Sequence, residues 1–233
     1  MKKNLVILTG AGISAESGFS TFRDSGGLWE QYNVEDVATP EGYNRNPQLV
    51  TDFYNIRRKQ LIDAKPNRGH EIIAELESQF NVTVITQNVD NLHEVAGSSH
   101  VIHLHGELMK VTSSFSPNDP RYIRTLKPEE WEVKIGDTAA DGSQLRPFIV
   151  WFGEAVPKIE EAITYVEKAD IFLIIGTSLN VYPAAGLLNY APADIPVYLI
   201  DPKEVHIPSY RKVYVIQKVA SEGMEEFKKL MEE

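Results

Sequence analysis

The sequence predicts an α/β protein: a doubly wound parallel sheet with a smaller inserted lobe. Three observations predict it. Six short apolar runs rich in β-branched residues recur along the chain, as expected of strands buried on both faces. Stretches with helical apolar spacing lie between them. The first run also passes straight into a glycine-containing turn, a common start for a nucleotide-binding fold.

In chain order the runs are Leu5 to Thr9, Val82 to Thr86, Val101 to His105, Ile171 to Ile175, Val197 to Asp201 and Lys212 to Ile216. Helical stripes are expected over Asn67 to Gln79, Pro157 to Lys168 and Ser221 to Met231. Strand and helix alternate as in a Rossmann-like sheet. Two excursions break the alternation. Residues 24–65 hold aromatic, proline and helical segments, and residues 107–149 are polar and loop-rich, punctuated by Pro117, Pro120, Pro128, Gly136 and Gly142. We therefore expect one domain over 1–233, with a large lobe from 1–23, 66–106 and 150–233 and a small lobe from 24–65 and 107–149. A lobe over the carboxyl edge of the sheet would form a ligand cleft.

A chain of 233 residues, 42% hydrophobic, can bury a core of its own. Its net charge of −10 argues against a general electrostatic grip on nucleic acid or an anionic membrane, so small molecules and proteins are the expected partners. The absence of cysteine excludes disulfides, thiolate metal sites and a cysteine nucleophile. The apolar run after the two N-terminal lysines spans only Leu5 to Leu8, too short for an export signal. No stretch reaches the roughly 18 apolar residues of a membrane span. The expectation is a soluble, cytoplasmic chain.

Candidate chemistry gathers where the apolar runs end. After the first comes GAGISAESGFSTFR, Gly10 to Arg23, in which Gly10 and Gly12 permit a sharp turn and close backbone approach to a pyrophosphate. A ligand-free tight turn would use the same glycines. After the second comes TQNVDNLH, where Gln87, Asn88 and Asp90 offer groups suited to ribose hydroxyls and a carboxamide, or to capping a helix with Asp90 as the cap. The third ends at His105, an imidazole at the cleft rim suited to general-base work. His103 lies two residues earlier on the same strand face, so periodicity does not separate the two, but position favours His105. A packed histidine is the competing reading. The fourth ends in Gly176, Thr177 and Ser178, small enough to accept phosphate or ribose closely. The fifth ends in Asp201, which suits adenosine ribose or a turn before Pro202. A dehydrogenase is disfavoured, because Ala15 replaces the third fingerprint glycine and no acidic residue closes the second strand.

GAGISAESGFSTFR, TQNVDNLH, LHGE, LRPFIVWFGE and GTSLNVYPAA occur in the order and approximate spacing of a sirtuin, which the chain resembles over nearly its whole length. The resemblance implies an enzyme that consumes NAD to remove acyl groups from lysine side chains of proteins. Nicotinamide leaves, and the acyl group departs as O-acyl-ADP-ribose. By the same resemblance His105 matches the general base, and Asn88 and Asp90 match residues that position the nicotinamide ribose and carboxamide. Gly10, Ala11, Gly12, Ser14, Ser17, Phe22, Arg23, Gln87, Gly176, Thr177 and Ser178 fall in its NAD-contacting segments, with Asp201 and a looser match at Ala220 on the adenosine side. Val150 to Glu154 resembles the strand that pairs with substrate peptide, with Val150, Phe152 and Gly153 as contacts.

Tyr54 and Arg57, three apart on one helix face, match a pair that some sirtuins direct into the acyl pocket. They imply a preference for succinyl, malonyl or glutaryl lysine, with acetyl tolerated, unless Arg57 is an exposed surface residue. One departure is large. Where sirtuins usually carry four zinc cysteines, this chain has Ser113, Ser116, Thr138 and Asp141, a poor zinc set. A zinc-free lobe is expected, held by apolar contacts from Phe115, Tyr122, Ile123 and Trp131. The segment RDSGGLW, with Gly26, Gly27 and Trp29, is a candidate lid. Two other activities share these motifs: protein ADP-ribosylation, and an NAD or ADP-ribose binding module without turnover.

Overall fold

The structure is a computed structural model that describes residues 2–19, 32–207, 209 and 211–232. Strand β1 (Asn4–Thr9) leads into a short 3-10 helix at Ala11–Ser17. Helices α1 (Val34–Val37), α2 (Pro40–Arg45), α3 (Pro47–Asp63) and α4 (Arg68–Leu76) precede β2 (Asn81–Thr86). Then come α5 (Leu92–Ala96), β3 (Val101–His103), β4 (Gly106–Ser113), β5 (Arg124–Thr125) and β6 (Leu145–Ile149). Helix α6 (Ile159–Val166), β7 (Ile171–Ile175), β8 (Val197–Ile200), β9 (Tyr214–Ile216) and α7 (Ala220–Glu232) complete the chain.

Six strands form one parallel sheet in the order β3-β2-β1-β7-β8-β9, which is the doubly wound arrangement the sequence predicts. Alternation along β1 explains both covered faces. Leu5 and Ile7 pack on one side with Ile72, Ile73 and Leu76 of α4 and Met224 and Phe227 of α7. Val6 and Leu8 pack on the other with Ala162 and Val166 of α6 and with Leu187 and Leu188. All of these side chains are essentially inaccessible, and each one larger than alanine stabilises the fold by about 1.5–3 kcal/mol.

The 107–149 excursion is more regular than its composition suggests. It contains a three-stranded antiparallel sheet in the order β5-β4-β6. Its strands escape a period-two reading because the register shifts between Gly106 and Val111, and because Pro147 occupies β6. A proline is tolerated there since β6 is an edge strand. The lobe's apolar contacts also differ from expectation. Phe115 is 85% exposed and Tyr122, Ile123 and Trp131 are only partly buried, so the core is made by Val111, Leu126, Val133 and Leu145. An aromatic ring on a polar turn reads as a core residue in sequence, but here shorter aliphatics fill the space, two of them on β4 and β6 and two between those strands.

Helix α3 joins the two excursions. Asn55 accepts from the Val133 amide at 3.0 Å and donates to its carbonyl at 2.8 Å. Buried Arg58 donates to the Leu108 carbonyl at 2.9 Å and to Asn55 at 2.9 Å. No helix among the described residues is long and apolar enough to cross a membrane.

Candidate active site

The strand order reverses between β1 and β7, which opens a crevice at their carboxyl ends. Two loops meet there at very short range. The Gly10 amide donates to the Ile175 carbonyl at 3.0 Å, the Gly12 amide to the Gly176 carbonyl at 2.9 Å, and the Ile13 amide to the Gly10 carbonyl at 3.1 Å. A Cβ on Gly12 would lie 2.6 Å from the Gly176 Cα, and one on Gly176, whose φ is +61°, would lie 2.5 Å from the Ile13 nitrogen. Gly10, Gly12 and Gly176 thus let one loop pack on the other, and the amides of Gly10 and Gly12 are donated to protein, as the tight-turn reading of the first two glycines requires.

Polar side chains fill the crevice beside that contact. The buried Ser14 hydroxyl donates to the Asp90 carboxylate at 3.0 Å, and the Asn88 side-chain amide donates to the Ser14 hydroxyl and to the Gly10 carbonyl, each at 3.1 Å. Asn88 and Asp90 are 7% and 1% exposed. The other Asp90 oxygen accepts from the Leu92 amide at 3.1 Å, so Asp90 does bond the start of α5, although Asn91 occupies the cap position. Gln87 donates through its side-chain amide to the Thr177 hydroxyl at 3.0 Å, which ties the β2 loop to the β7 loop. Burial raises the Asp90 carboxyl above its ordinary value, against the opposing hydrogen bonds from Leu92 and Ser14.

His105 does not end a strand. β3 stops at His103, and Leu104 and His105 form the turn into β4. The turn forms because Gly106, at φ +81°, approaches β6 so closely that a Cβ would lie 2.1 Å from the Phe148 carbonyl oxygen. His105 Nδ1 lies 2.9 Å from the Gln87 carbonyl oxygen. A carbonyl only accepts, so Nδ1 carries the proton and Nε2 is the basic nitrogen. Burial lowers the His105 pKa, opposed by the Gln87 hydrogen bond, which keeps the ring neutral at neutral pH.

Tyr54 and Arg57 both turn inward from α3, at 4% and 6% exposure, which removes the reading of Arg57 as a surface residue. The guanidinium stacks over the Phe19 ring at 4.3 Å from its centroid. Burial lowers its pKa to about 10, with the charges of Tyr54 and Asp90 opposing, so it remains a cation at neutral pH. Tyr54 accepts from the Trp151 indole N–H at 3.0 Å, which leaves its own O–H to donate. Burial pushes the Tyr54 pKa up to about 12.

Residues 150–154 are a turn rather than the expected strand, since β6 ends at Ile149. Glu154 is the reason. It accepts from the Trp151 amide at 2.8 Å and holds Arg146 through two contacts at 2.8 and 3.1 Å, while the Arg146 guanidinium stacks 3.5 Å over the Trp151 ring. The Val150 amide donates to the His105 carbonyl at 3.0 Å, so this turn abuts the histidine. Phe152 and Gly153 are exposed.

The remaining expected contacts lie around this centre. Ala11 and Ser17 bound the 3-10 helix, and the Ser17 hydroxyl accepts from Asn67 at 2.9 Å. Ser178 follows Thr177 and is partly exposed. Asp201 closes a turn by accepting from the Lys203 amide at 2.8 Å. Ala220 starts α7 and is buried in the core. Phe22, Arg23 and the RDSGGLW segment lie outside the described residues.

Of the four positions expected of zinc ligands, Ser113 and Asp141 bond each other through their side chains. Buried Ser113 donates to Asp141 at 2.6 Å and accepts from the Phe115 and Ser116 amides at 3.0 and 2.8 Å, and Ser143 joins at 2.9 Å. Thr138 is exposed and pairs with Gln144.

Several partners were not visible in sequence. Glu94, Asn67 and the hydroxyls of Thr9 and Thr86 support the loops, yet they fall in ordinary helical, turn or strand contexts. Asn67 had the clearest local signal, as a cap before a helical stripe that also donates to the Ile13 carbonyl at 2.7 Å.

The crevice therefore offers buried amides, hydroxyls and a carboxylate beside a neutral imidazole and a buried cation. That donor set fits a dinucleotide with sugar hydroxyls and a carboxamide. A family model described as Sir2 family matches residues 10–183. The chain belongs to the Sir2 family. A protein of Bacteroides thetaiotaomicron named NAD-dependent protein deacylase is 72% identical over 229 residues, covering 98% of each chain. Among solved structures, a Sir2 homologue with a serine-to-alanine substitution, in complex with ADP-ribose, aligns at TM-score 0.88 and 37% identity over 99% of this chain and 94% of that one. A Sir2 homolog–NAD complex aligns at TM-score 0.85 and 37% identity, over 99% and 90%.

Proposed function

We propose that this NAD-dependent protein deacylase acts on acyl-lysine side chains with His105 as its general base, and that its acyl pocket accepts acidic groups such as succinyl and malonyl as well as acetyl. NAD supplies the electrophilic ribose carbon and the acceptor for the acyl group. The chain's own residues orient and move protons. The observation that carries the reading is the His105 Nδ1 hydrogen bond to the Gln87 carbonyl at 2.9 Å, which leaves Nε2 as the basic nitrogen of a neutral ring docked on the loop that carries Asn88 and Asp90.

Arg57 and Tyr54 support the acidic-acyl reading. A buried guanidinium that stays charged and a tyrosine with a free O–H to donate suit a carboxylate, which a planar fork binds bidentately. Exposed Phe152 and Gly153, on a turn anchored by Glu154, suit main-chain pairing with an extended peptide. Such pairing reads shape more than sequence, so a range of protein substrates is expected.

The Ser113–Asp141–Ser143 hydrogen bonds support a small lobe that needs no zinc, since hydroxyls that satisfy each other are weak competitors for the metal. The test is the ratio of kcat/KM on matched succinyl-lysine and acetyl-lysine peptides. A ratio above one supports the acidic pocket, and a strong acetyl preference removes it while leaving the deacylase.

A further inference from the structure

His103 and His105 each place Nδ1 against a main-chain carbonyl of the β2 loop, but of successive residues. His105 meets Gln87 at 2.9 Å and His103 meets Asn88 at 3.2 Å. They differ at the other nitrogen. His103 Nε2 lies 2.7 Å from the Glu94 carboxylate. Both partners of His103 are acceptors, so satisfying both requires a proton on each ring nitrogen.

We propose that His103, held as an imidazolium between the Glu94 carboxylate and the Asn88 carbonyl, is a positioning residue that fixes the Gln87–Asp90 loop for NAD.

The Asn88 main chain is then gripped from two directions. Its amide donates to the Thr86 hydroxyl at 3.0 Å and its carbonyl accepts from His103, while the side chain stays committed to Ser14 and Gly10. Asn88 is thereby held in place for the nicotinamide-ribose contact that the resemblance to sirtuins implies for it. The charge is supported from several elements. Glu94 on α5 and Glu107 on β4 favour it, Asp90 on the loop interacts with it, and His93 and Lys110 are the nearby groups of neutral or opposing character. The cleft bordered by His103 also carries Arg146, Glu154, Lys158 and Glu161, but these neutralise each other in pairs. Burial alone would depress the His103 pKa, and the Glu94 hydrogen bond and charge outweigh it, so the net direction is upward.

The sign follows. A group whose pKa is raised on folding holds its proton below the folded value and loses the bridge as pH rises through it. His105, lowered instead, governs the acid side, so the two histidines bound opposite limbs of the pH profile.

The test uses the full chain, ¹⁵N-labelled at histidine, with His103 assigned by loss of its signals in His103→Gln. At pH 7 both ring nitrogens of His103 should be protonated, and in Glu94→Gln the midpoint should fall by about one unit. The alkaline limb of kcat/KM for NAD should move down with it, while the acid limb stays. Glu94 is substantially solvent-exposed, so its replacement leaves the core packing alone. The kinetic arm rests on the deacylase reading, whereas the spectroscopic arm does not. If the protein released no nicotinamide with any peptide, NAD affinity by calorimetry over the same pH range would replace it. A neutral single tautomer of His103 at pH 7 overturns the proposal. So does an NAD dependence unchanged in Glu94→Gln once that variant's His103 is shown to be neutral.

Discussion

The His105 imidazole donates from Nδ1 to the Gln87 carbonyl at 2.9 Å, and this one bond decides which nitrogen is available to act as a base. Because burial lowers its pKa, the ring is deprotonated through the neutral range. Activity should therefore persist as pH falls below the ordinary histidine value and be lost only through the lower, folded one. A profile of kcat/KM against pH checks this, and an acid limb above pH ~6.5 contradicts it.

Arg57→Met should lower kcat/KM for succinyl-lysine roughly 10- to 100-fold and leave acetyl-lysine within a few fold, as expected for loss of a charge-assisted contact worth about 1.5–3 kcal/mol. Matched peptides measure it. An unchanged ratio would separate Arg57 from acyl recognition.

Gly12→Ala places a methyl 2.6 Å from the Gly176 backbone, and neither loop can withdraw without giving up the Gly12 amide bond to Gly176. The cost should be about 1–3 kcal/mol in urea unfolding, with NAD affinity weakened as well. A variant as stable as the parent would show that the loops can separate.

This position also shows how sequence and structure divide the information. Gly10 and Gly12 announce a nucleotide-type turn in sequence, and the turn is there. What the sequence does not show is the loop they pack against, which begins at Gly176, far away in the chain. Strand content was legible wherever both faces are buried, as in Ile171 to Ile175, and illegible in β4 and β6, where a register shift and Pro147 erase the alternation. Gln87, Asn88, Asp90 and His105 were legible because they follow apolar strands. Glu94 was not, because a glutamate on a short helix carries no mark of the histidine it meets.

His70 and His93 are buried with rings 4.9 Å apart, and burial lowers both pKa values, that of His70 to about 4. The unfolded chain binds more protons below its ordinary histidine value, so this contribution to stability is complete above pH ~6.5 and declines as pH falls. Each histidine should remove about 1.4 kcal/mol per pH unit until its folded pKa is reached. Urea unfolding between pH 7 and pH 4.5 measures the slope, and replacement of His70 by Gln should flatten it.

Ser113→Ala removes the acceptor of the part-buried Phe115 and Ser116 amides and should destabilise the protein by about 0.5–1.5 kcal/mol. Hydrogen exchange should increase first in β4 and β6. Treatment with a chelator should change neither exchange nor activity, and stoichiometric zinc in protein purified without added metal would contradict the metal-independent lobe.

An acyl-dependent reaction of NAD driven by a neutral His105 is tested by nicotinamide release with and without an acyl-lysine peptide, in the native protein and in His105→Ala. Release should require the acylated peptide and fall roughly 10²- to 10⁴-fold in the variant, with its fold retained. Release that is indifferent to the acyl group, or undiminished without His105, would contradict it.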